Sequence, residues 1–120
     1  MRSVKLTLKG VPPSLNRFAG RENAREYRAE KETWTNAVWW TIKAQGCKPP
    51  KPFERSIVTI TYFFPDNRRR DPDNYAGKML LDGLTRGGVI KDDSFDHITL
   101  TVCGDVDRAR TRTEIVVKEL

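Results

Sequence analysis

The chain has 120 residues, of which 38% are hydrophobic and 32% are charged, and its 22 Lys and Arg against 16 Asp and Glu give a formal net charge of +6. This length fits one domain with one hydrophobic core, and the positive charge favours a polyanionic partner. Its apolar runs are far shorter than the roughly 20 residues that span a bilayer, and the N-terminus has no apolar signal segment, so we expect a cytoplasmic protein without membrane contact.

The first half of the chain predicts one strand and one long helix. Residues 3–9 alternate apolar and polar side chains, which is the period of a half-buried strand. Pro12 and Pro13 end this strand, and residues 14–23 are predicted to form a polar, basic, mobile loop. The basic segment over residues 16–25 is expected to become ordered when a ligand binds. Residues 25–45 contain no proline or glycine and repeat apolar side chains at helical spacing. They therefore predict the longest helix, which Gly46 ends.

The second half predicts a strand, a helix and two more strands. Residues 56–64 are rich in β-branched and aromatic side chains, which is typical of a strand. A helix is predicted over 74–86, a strand over 98–102, a turn over 105–110 and a strand over 111–118. The order β-α-β-α-β-β predicts a single small α+β domain on a mixed sheet.

The residue inventory excludes several kinds of site. His97 is the only histidine, so a zinc site with several His ligands cannot be built, and we expect a core or surface role for this residue. Cys47 and Cys103 form no C-x-x-C pair, so we expect both to be reduced, although a contact between them stays open. No glycine-rich phosphate loop is present, so we expect no nucleotide cofactor.

Two acidic segments flank the predicted second helix. Residues 71–74 are Asp-Pro-Asp-Asn, between the end of a strand and the start of the helix, and Asp92-Asp93 follows the helix. This spacing permits a carboxylate cluster at one edge of the sheet, which a cation would have to neutralise. Mg²⁺ prefers oxygen ligands, and two-metal hydrolysis of a phosphodiester needs no histidine. Lys78 could then stabilise charge that develops on the phosphate.

Each feature alone also has a structural explanation. Asp73 could cap the predicted helix, Asp92-Asp93 could be a solvated turn, and Lys78 could pair with Asp82. What favours a functional interpretation is that acids and a basic triplet share one loop of a cationic protein. The candidate phosphate contacts are Arg17, Arg21, Arg25, Arg68, Arg69 and Arg70.

Four motifs follow one another along nearly the whole chain. They are V-P-P-S-L-N-R at 11–17, R-D-P-D-N at 70–74, Lys78 with Asp82 and Leu84, and G-V-I-K-D-D at 88–93. In these motifs the chain resembles the RusA family of Holliday junction resolvases, which are small homodimeric Mg²⁺-dependent endonucleases of bacteria and their phages.

The resemblance implies one RusA-like endonuclease domain over residues 1–120 and a set of site residues. It implies metal binding by Asp71, Asp73 and the Asp92-Asp93 pair, with Asp93 favoured as the inner ligand, and a catalytic role for Lys78. It also implies DNA contacts by Asn16, Arg69 and Asn74.

One position departs from the family pattern. The family lysine lies six residues after the first aspartate, whereas here Gly77 holds that position and Lys78 follows it. One extra residue turns a helical side chain by about 100°. Either the helix therefore begins one residue later, or Lys78 points in another direction.

The predicted activity is Mg²⁺-dependent resolution of four-way DNA junctions by paired symmetric nicks from a homodimer, with Mn²⁺ as a substitute metal. Trp34, Trp39 and Trp40 cannot all point into one small core, so part of this aromatic surface forms the subunit interface or packs within the monomer. Two other functions stay open. One is a nuclease that also cuts flaps and forks, and the other is a non-catalytic protein that binds branched DNA.

Overall fold

A four-stranded mixed sheet with helices on one face forms the frame of the protein. The computed structural model describes residues 2–120, except for the side chain of Arg21. The strands are β1 (Ser3–Lys9), β2 (Ser56–Phe64), β3 (Ile98–Val106) and β4 (Arg112–Glu119), and the helices are α1 (Ala24–Gln45) and α2 (Leu81–Arg86). Short 3-10 helices lie at Leu15–Phe18, Arg21–Asn23 and Pro72–Asn74. This order confirms the predicted α+β fold.

The strand order places β3 at one edge of the sheet. The order is β1-β4-β2-β3, with β4 antiparallel to both of its neighbours. β2 and β3 are parallel, in register from Ser56 opposite Ile98 to Phe64 opposite Val106. A parallel pair needs a crossover connection, and residues 65–97, which include α2, provide it.

Alternation along the strands decides which face is buried. Leu6 of β1, Ile60 of β2 and Ile115 of β4 are fully buried against the helices, whereas their neighbours in sequence face the other side and are half-buried or exposed. β3 is different, because Ile98 is the only one of its nine residues that is buried. The helices therefore leave most of β3 uncovered.

The two helices pack closely because α2 presents glycines to α1. A Cβ atom on Gly83 would lie 2.5 Å from the Cβ of Val38, and one on Gly87 would collide with the Cδ1 of Ile42. Val38 and Ile42 are both buried in the core. The missing side chains thus set the distance between the helices.

The prediction of a helix over 74–86 is wrong in its first half. Residues 75–80 form turns, and α2 begins only at Leu81. Gly77 has a φ of +86°, and a Cβ there would lie 2.6 Å from the Cδ1 of Ile60. A left-handed residue interrupts a right-handed helix, and the close approach to β2 favours glycine at this point.

Two other boundaries differ from the prediction. The loop predicted over 14–23 contains two 3-10 helices, the first of which begins where the Ser14 Oγ accepts a hydrogen bond from the Asn16 N–H at 3.3 Å. The third strand, predicted over 98–102, continues to Val106, so the turn before β4 is shorter than predicted.

The three tryptophans of α1 occupy different environments. Trp34 packs against the core, whereas Trp40 exposes 64% of its surface. The rings of Trp39 and Trp40 meet edge to face, with centroids 4.7 Å apart. The exposed ring is therefore held by its neighbour rather than by the core.

Cys47 is half-buried, Cys103 is exposed, and both are free thiols. In the described part of the chain, no helix is both long and apolar enough to cross a membrane.

Candidate active site

The segment between β2 and α2, residues 65–80, carries most of the predicted site, and we call it the acidic loop. Its centre is the 3-10 turn Pro72–Asn74, closed by hydrogen bonds from the Asn74 N–H to the Asp71 carbonyl and from the Tyr75 N–H to the Pro72 carbonyl, both 3.0 Å. Asp71 is half-exposed and Asp73 is exposed. Because α2 begins eight residues after Asp73, helix capping does not explain this aspartate.

The basic triplet of the acidic loop divides into two exposed arginines and one that turns inward. The side chains of Arg68 and Arg69 are 83% and 88% exposed, whereas that of Arg70 is 19% exposed. The Arg70 guanidinium contacts Asp66 at 2.9 Å and lies 4.3 Å from the centroid of the Phe64 ring. Arg68 and Arg69 can therefore reach a DNA phosphate, while Arg70 shapes the loop.

Asp66 holds this arrangement together. Its Oδ1 accepts a hydrogen bond from the Arg68 N–H at 3.1 Å, and its backbone carbonyl accepts one from Arg70 at 2.9 Å. The Arg68 N–H and, to a smaller extent, the Arg70 guanidinium lower the pKa of the Asp66 carboxyl. Asp66 thus stays ionised and fixes the conformation of the residues before Asp71.

The second acidic segment lies beside the helix pair. Asp92 and Asp93 are both exposed, and Asp93 lines a shallow cleft with Leu81, Phe95 and Leu100. The position of Asp93 brings its charge within reach of Lys31 on α1.

Asp82 pairs with α1 and not with Lys78. Its Oδ2 lies 3.0 Å from the Nζ of Lys31, and this hydrogen bond is the main cause that raises the pKa of Lys31, against the opposing effect of burial. The alternative pair of Lys78 with Asp82 is therefore not formed.

Lys78 lies outside α2, in the turns that precede it. Its side chain is exposed, and its Nζ lies 5.8 Å from the centroid of the Tyr27 ring. The Tyr27 hydroxyl is buried and has no hydrogen-bond partner among the described residues. Because α2 begins three residues after Lys78, the helix does not set the direction of this side chain, and its catalytic role stays a prediction.

The predicted carboxylate cluster is not assembled within the described residues. Across residues 2–120, no group of three or more His, Cys, Asp or Glu side chains is arranged to hold a metal ion. Asp71 lines a cleft that borders residues 102–104 of β3, whereas the cleft of Asp93 borders residues 98–100 of the same strand. Both acidic segments lie along the same edge strand, and their joint role as metal ligands stays a prediction.

The N-terminal basic residues lie on a separate structured segment. Arg17 is exposed, contacts Glu26 at 3.6 Å and lies 5.7 Å from the Phe18 ring centroid, and Asn16 is exposed beside it. Arg25 is exposed at the start of α1. The side chain of Arg21, also predicted to contact DNA, lies outside the described residues.

His97 has a structural contact, in line with its predicted role. Its Nδ1 lies 2.8 Å from the Glu54 carbonyl, next to the bond from the Ser56 N–H to the His97 carbonyl at 3.0 Å. These contacts join the starts of β2 and β3.

Sequence reasoning missed the aromatic environment of the acidic loop. Tyr62, Phe64 and Tyr75 form one group, with the rings of Phe64 and Tyr75 edge to face at a centroid distance of 5.1 Å. Burial raises the pKa of the Tyr62 hydroxyl, so this group stays neutral. The alternation of Tyr62 and Phe64 along β2 was the available signal, but nothing in the sequence placed Tyr75 beside them.

Comparison with known proteins gives one family. A family model described as Endodeoxyribonuclease RusA matches residues 10–118. The match spans every residue named above as a candidate ligand, catalytic group or DNA contact. No curated protein matches the chain.

Proposed function

The chain belongs to the RusA family of endodeoxyribonucleases, and from this we propose that it is a Mg²⁺-dependent, structure-selective endonuclease that resolves four-way DNA junctions by paired symmetric nicks in recombination and repair. The observation that supports the proposal most strongly is the exposed turn at 71–74, which presents two aspartates next to two solvent-directed arginines. Carboxylates and guanidinium groups side by side suit a metal-bound phosphodiester.

The proposed ligands have the carboxylate chemistry that a hard divalent cation prefers, while residues 2–120 hold no preassembled group of three such side chains. Asp71, Asp73 and Asp93 offer accessible carboxylate oxygens, with Asp92 adjacent, and such ligands suit Mg²⁺, with Mn²⁺ as a substitute. When bound, the cation supplies an activated water and stabilises the leaving oxygen of the phosphodiester. Lys78 then contributes a positively charged ammonium group, because Asp82 is paired with Lys31 instead.

The proposed DNA contacts divide between the two segments that carry basic residues. Arg68, Arg69 and Asn74 of the acidic loop hold phosphates beside the reacting bond, and Arg70 keeps the loop in shape. Asn16, Arg17, Arg21 and Arg25 contact the duplex arms. Because such contacts release counterions, affinity for DNA should fall steeply with salt concentration.

Paired incision requires two active sites, so we propose that the protein acts as a homodimer. A symmetric dimer gives two identical sites on the two opposed strands of a junction. Phe95 is 99% exposed and Leu100 is 36% exposed beside the uncovered strand β3, and Trp40 is exposed on α1. Exposed apolar side chains of this size are typical of interaction surfaces.

A non-catalytic protein that binds branched DNA is the second candidate. The absence of a three-carboxylate group among residues 2–120 favours it. In that case the acidic segments would have a structural role and the basic residues alone would carry the function.

The two candidates differ in one cleavage experiment. A labelled four-way junction, a flap, a fork and a linear duplex are incubated with wild type, Asp73→Asn and Asp96→Asn, with Mg²⁺, Mn²⁺ or EDTA. Asp96 is an exposed aspartate outside both acidic segments, so its variant is a matched control.

We expect symmetric nicks in the junction, a loss of about 100-fold or more in Asp73→Asn, and full activity in Asp96→Asn. Equal cutting of flaps and forks would instead indicate a nuclease of broader range. Junction binding without cleavage under either metal would contradict the endonuclease proposal.

A further inference from the structure

An open cleft of about 260 Å³ lies between the acidic loop and the second halves of β2 and β3. Since one water molecule takes roughly 30 Å³ in the liquid, this volume holds several waters or one planar ring system. Tyr62, Phe64 and Tyr75 line it, and the Tyr62 ring lies 6.2 Å from Phe64 and 5.8 Å from Tyr75, centroid to centroid. Tyr62 and Phe64 are buried, whereas Tyr75 is half-buried, so Tyr75 is the ring that offers the cleft an accessible aromatic surface.

The polar groups of the cleft are also fixed. The Arg70 guanidinium lies over the Phe64 ring and is held by Asp66 and by the carbonyls of Asp66 and Arg68. Asp71 lines the same cleft. These contacts leave N–H groups of Arg70 without a partner among the described residues. The cleft therefore offers hydrogen-bond donors from Arg70 and acceptors from the Asp71 carboxylate.

Gly104 keeps the cleft open on the side of β3. It pairs with Tyr62 in the parallel register and shares its face of the sheet. A Cβ on Gly104 would contact only the Cε2 atom of Phe64, at 3.5 Å, which is an ordinary van der Waals distance. A Cβ is therefore compatible with the backbone at this position, and the methyl groups of a valine would take up part of the cleft next to Phe64.

Resting on the proposed endonuclease function, we propose that this cleft holds one unstacked nucleobase of the cleaved strand, next to the phosphate that reacts at Asp71. Every base has a face that stacks on an aromatic ring and an edge that takes hydrogen bonds from a guanidinium or a carboxylate. An aliphatic ligand would use only the aromatic wall. Seating one base fixes the register of the strand, and the polar groups give a preference for the base at that position.

The test combines an altered protein with an altered DNA. Junctions carry a single abasic site at each of the two nucleotides on either side of the cut, and cleavage rates are measured for wild type and Gly104→Val. In wild type, loss of the seated base should slow cleavage about tenfold at one position. In Gly104→Val, the intact junction should be cut about tenfold more slowly, and the abasic site at that position should have no further effect.

Two more variants control the experiment. Thr101→Val makes a substitution in the same strand on the opposite, exposed face, and it should respond to the abasic sites as wild type does. Tyr75→Leu removes an aromatic ring of the cleft without filling it, and it should lose the tenfold response, which keeps the test decisive if Gly104→Val does not fold. Thermal melts monitored by circular dichroism establish folding.

The outcomes separate this proposal from the endonuclease proposal. If wild type cleaves but both cleft variants respond to every abasic site as wild type does, no base is seated there and the inference is wrong. If wild type cuts nothing with Mg²⁺ or Mn²⁺, the endonuclease proposal fails on its own. In that case, the affinity for the same abasic junctions is measured by fluorescence anisotropy in EDTA. A loss of affinity at one abasic position in wild type but not in the cleft variants would support the seated base. An equal loss in wild type and variants would contradict it.

Discussion

The contact between α1 and α2 and the uncovered side of β3 are built in opposite ways. At the helix contact, Gly83 and Gly87 have no room for a side chain, because Val38 and Ile42 fill the space. At the edge strand, a Cβ on Gly104 would make only an ordinary contact with Phe64, at 3.5 Å, and most of the strand is exposed. The comparison teaches that the first region is closed by tight packing, while the second, next to both acidic segments, stays uncovered, which is why we propose it as the side that meets DNA.

The largest effect on cleavage should come from a single carboxylate, Asp93, next to the uncovered strand β3. Asp93→Asn should reduce junction cleavage about 100-fold or more, since it removes a proposed metal ligand, whereas Asp92→Asn should change it less than about threefold. Both residues are exposed, so both variants should melt like wild type. Cleavage time courses and thermal melts check this, and the reverse order would make Asp92 the inner ligand.

A glycine-to-alanine substitution should change the free energy of unfolding at the helix contact but not at the edge strand. Gly83→Ala should lower the free energy of unfolding by about 2 kcal/mol, because its methyl group meets Val38. Gly104→Ala should not destabilise the fold, because its methyl group makes an ordinary contact. Denaturant unfolding of both variants measures the difference, and equal values would show that the crowding at Gly83 relaxes freely.

Asp66→Asn should loosen the acidic loop without touching the helix contact. We expect severalfold slower cleavage, because Arg70 loses its anchor, and a lower melting temperature at neutral pH. The lowered pKa of Asp66 means that its ionised form stabilises the fold above the ordinary carboxyl value of 3.8 and that this stabilisation is lost as pH falls through the folded pKa. Melting curves of wild type and variant should therefore converge at acid pH. A gap that stays constant down to pH values below the folded pKa would show that the carboxyl charge is not what anchors the loop.

The smallest effect concerns the pair of Lys31 with Asp82. Both side chains are partly exposed, at 33% and 45%, so a double-mutant cycle with Lys31→Met and Asp82→Asn should give a coupling of about 0.5 kcal/mol. Increasing the salt concentration should reduce it. A coupling several times larger would contradict the expectation that solvent screens this pair.

The strands and the first helix could be predicted from the sequence because their signals are local. Alternation over residues 3–9 and 56–64 and the helical spacing over 25–45 all correspond to elements of the structure. The predicted second helix is too long at its N-terminal end. The interruption at Gly77 depends on the close approach of Ile60, seventeen positions earlier in the chain. A local pattern does not contain such a contact.

The candidate site could be predicted in part for the same reason. The placement of Asp71 after a strand follows from the chain order alone, and so does the exposure of the loop. The inward turn of Arg70 depends on Asp66 and on the Phe64 ring, and a basic triplet gives no sign of it. Whether Asp71 and Asp93 act on one metal is a question of distance across the sheet edge, which spacing in the sequence does not determine.

The parallel pairing of β2 and β3 also bears on how the protein folds. The chain must close a loop over residues 65–97 before these strands can pair, and the entropy of that closure is lost before the strand contacts compensate for it. Asp71, Asp73, Lys78, Asp92 and Asp93 all lie within this one connection. We therefore expect the acidic segments to take up their positions together with the pairing of β2 and β3, and amide hydrogen exchange should show β3 and the acidic loop opening together.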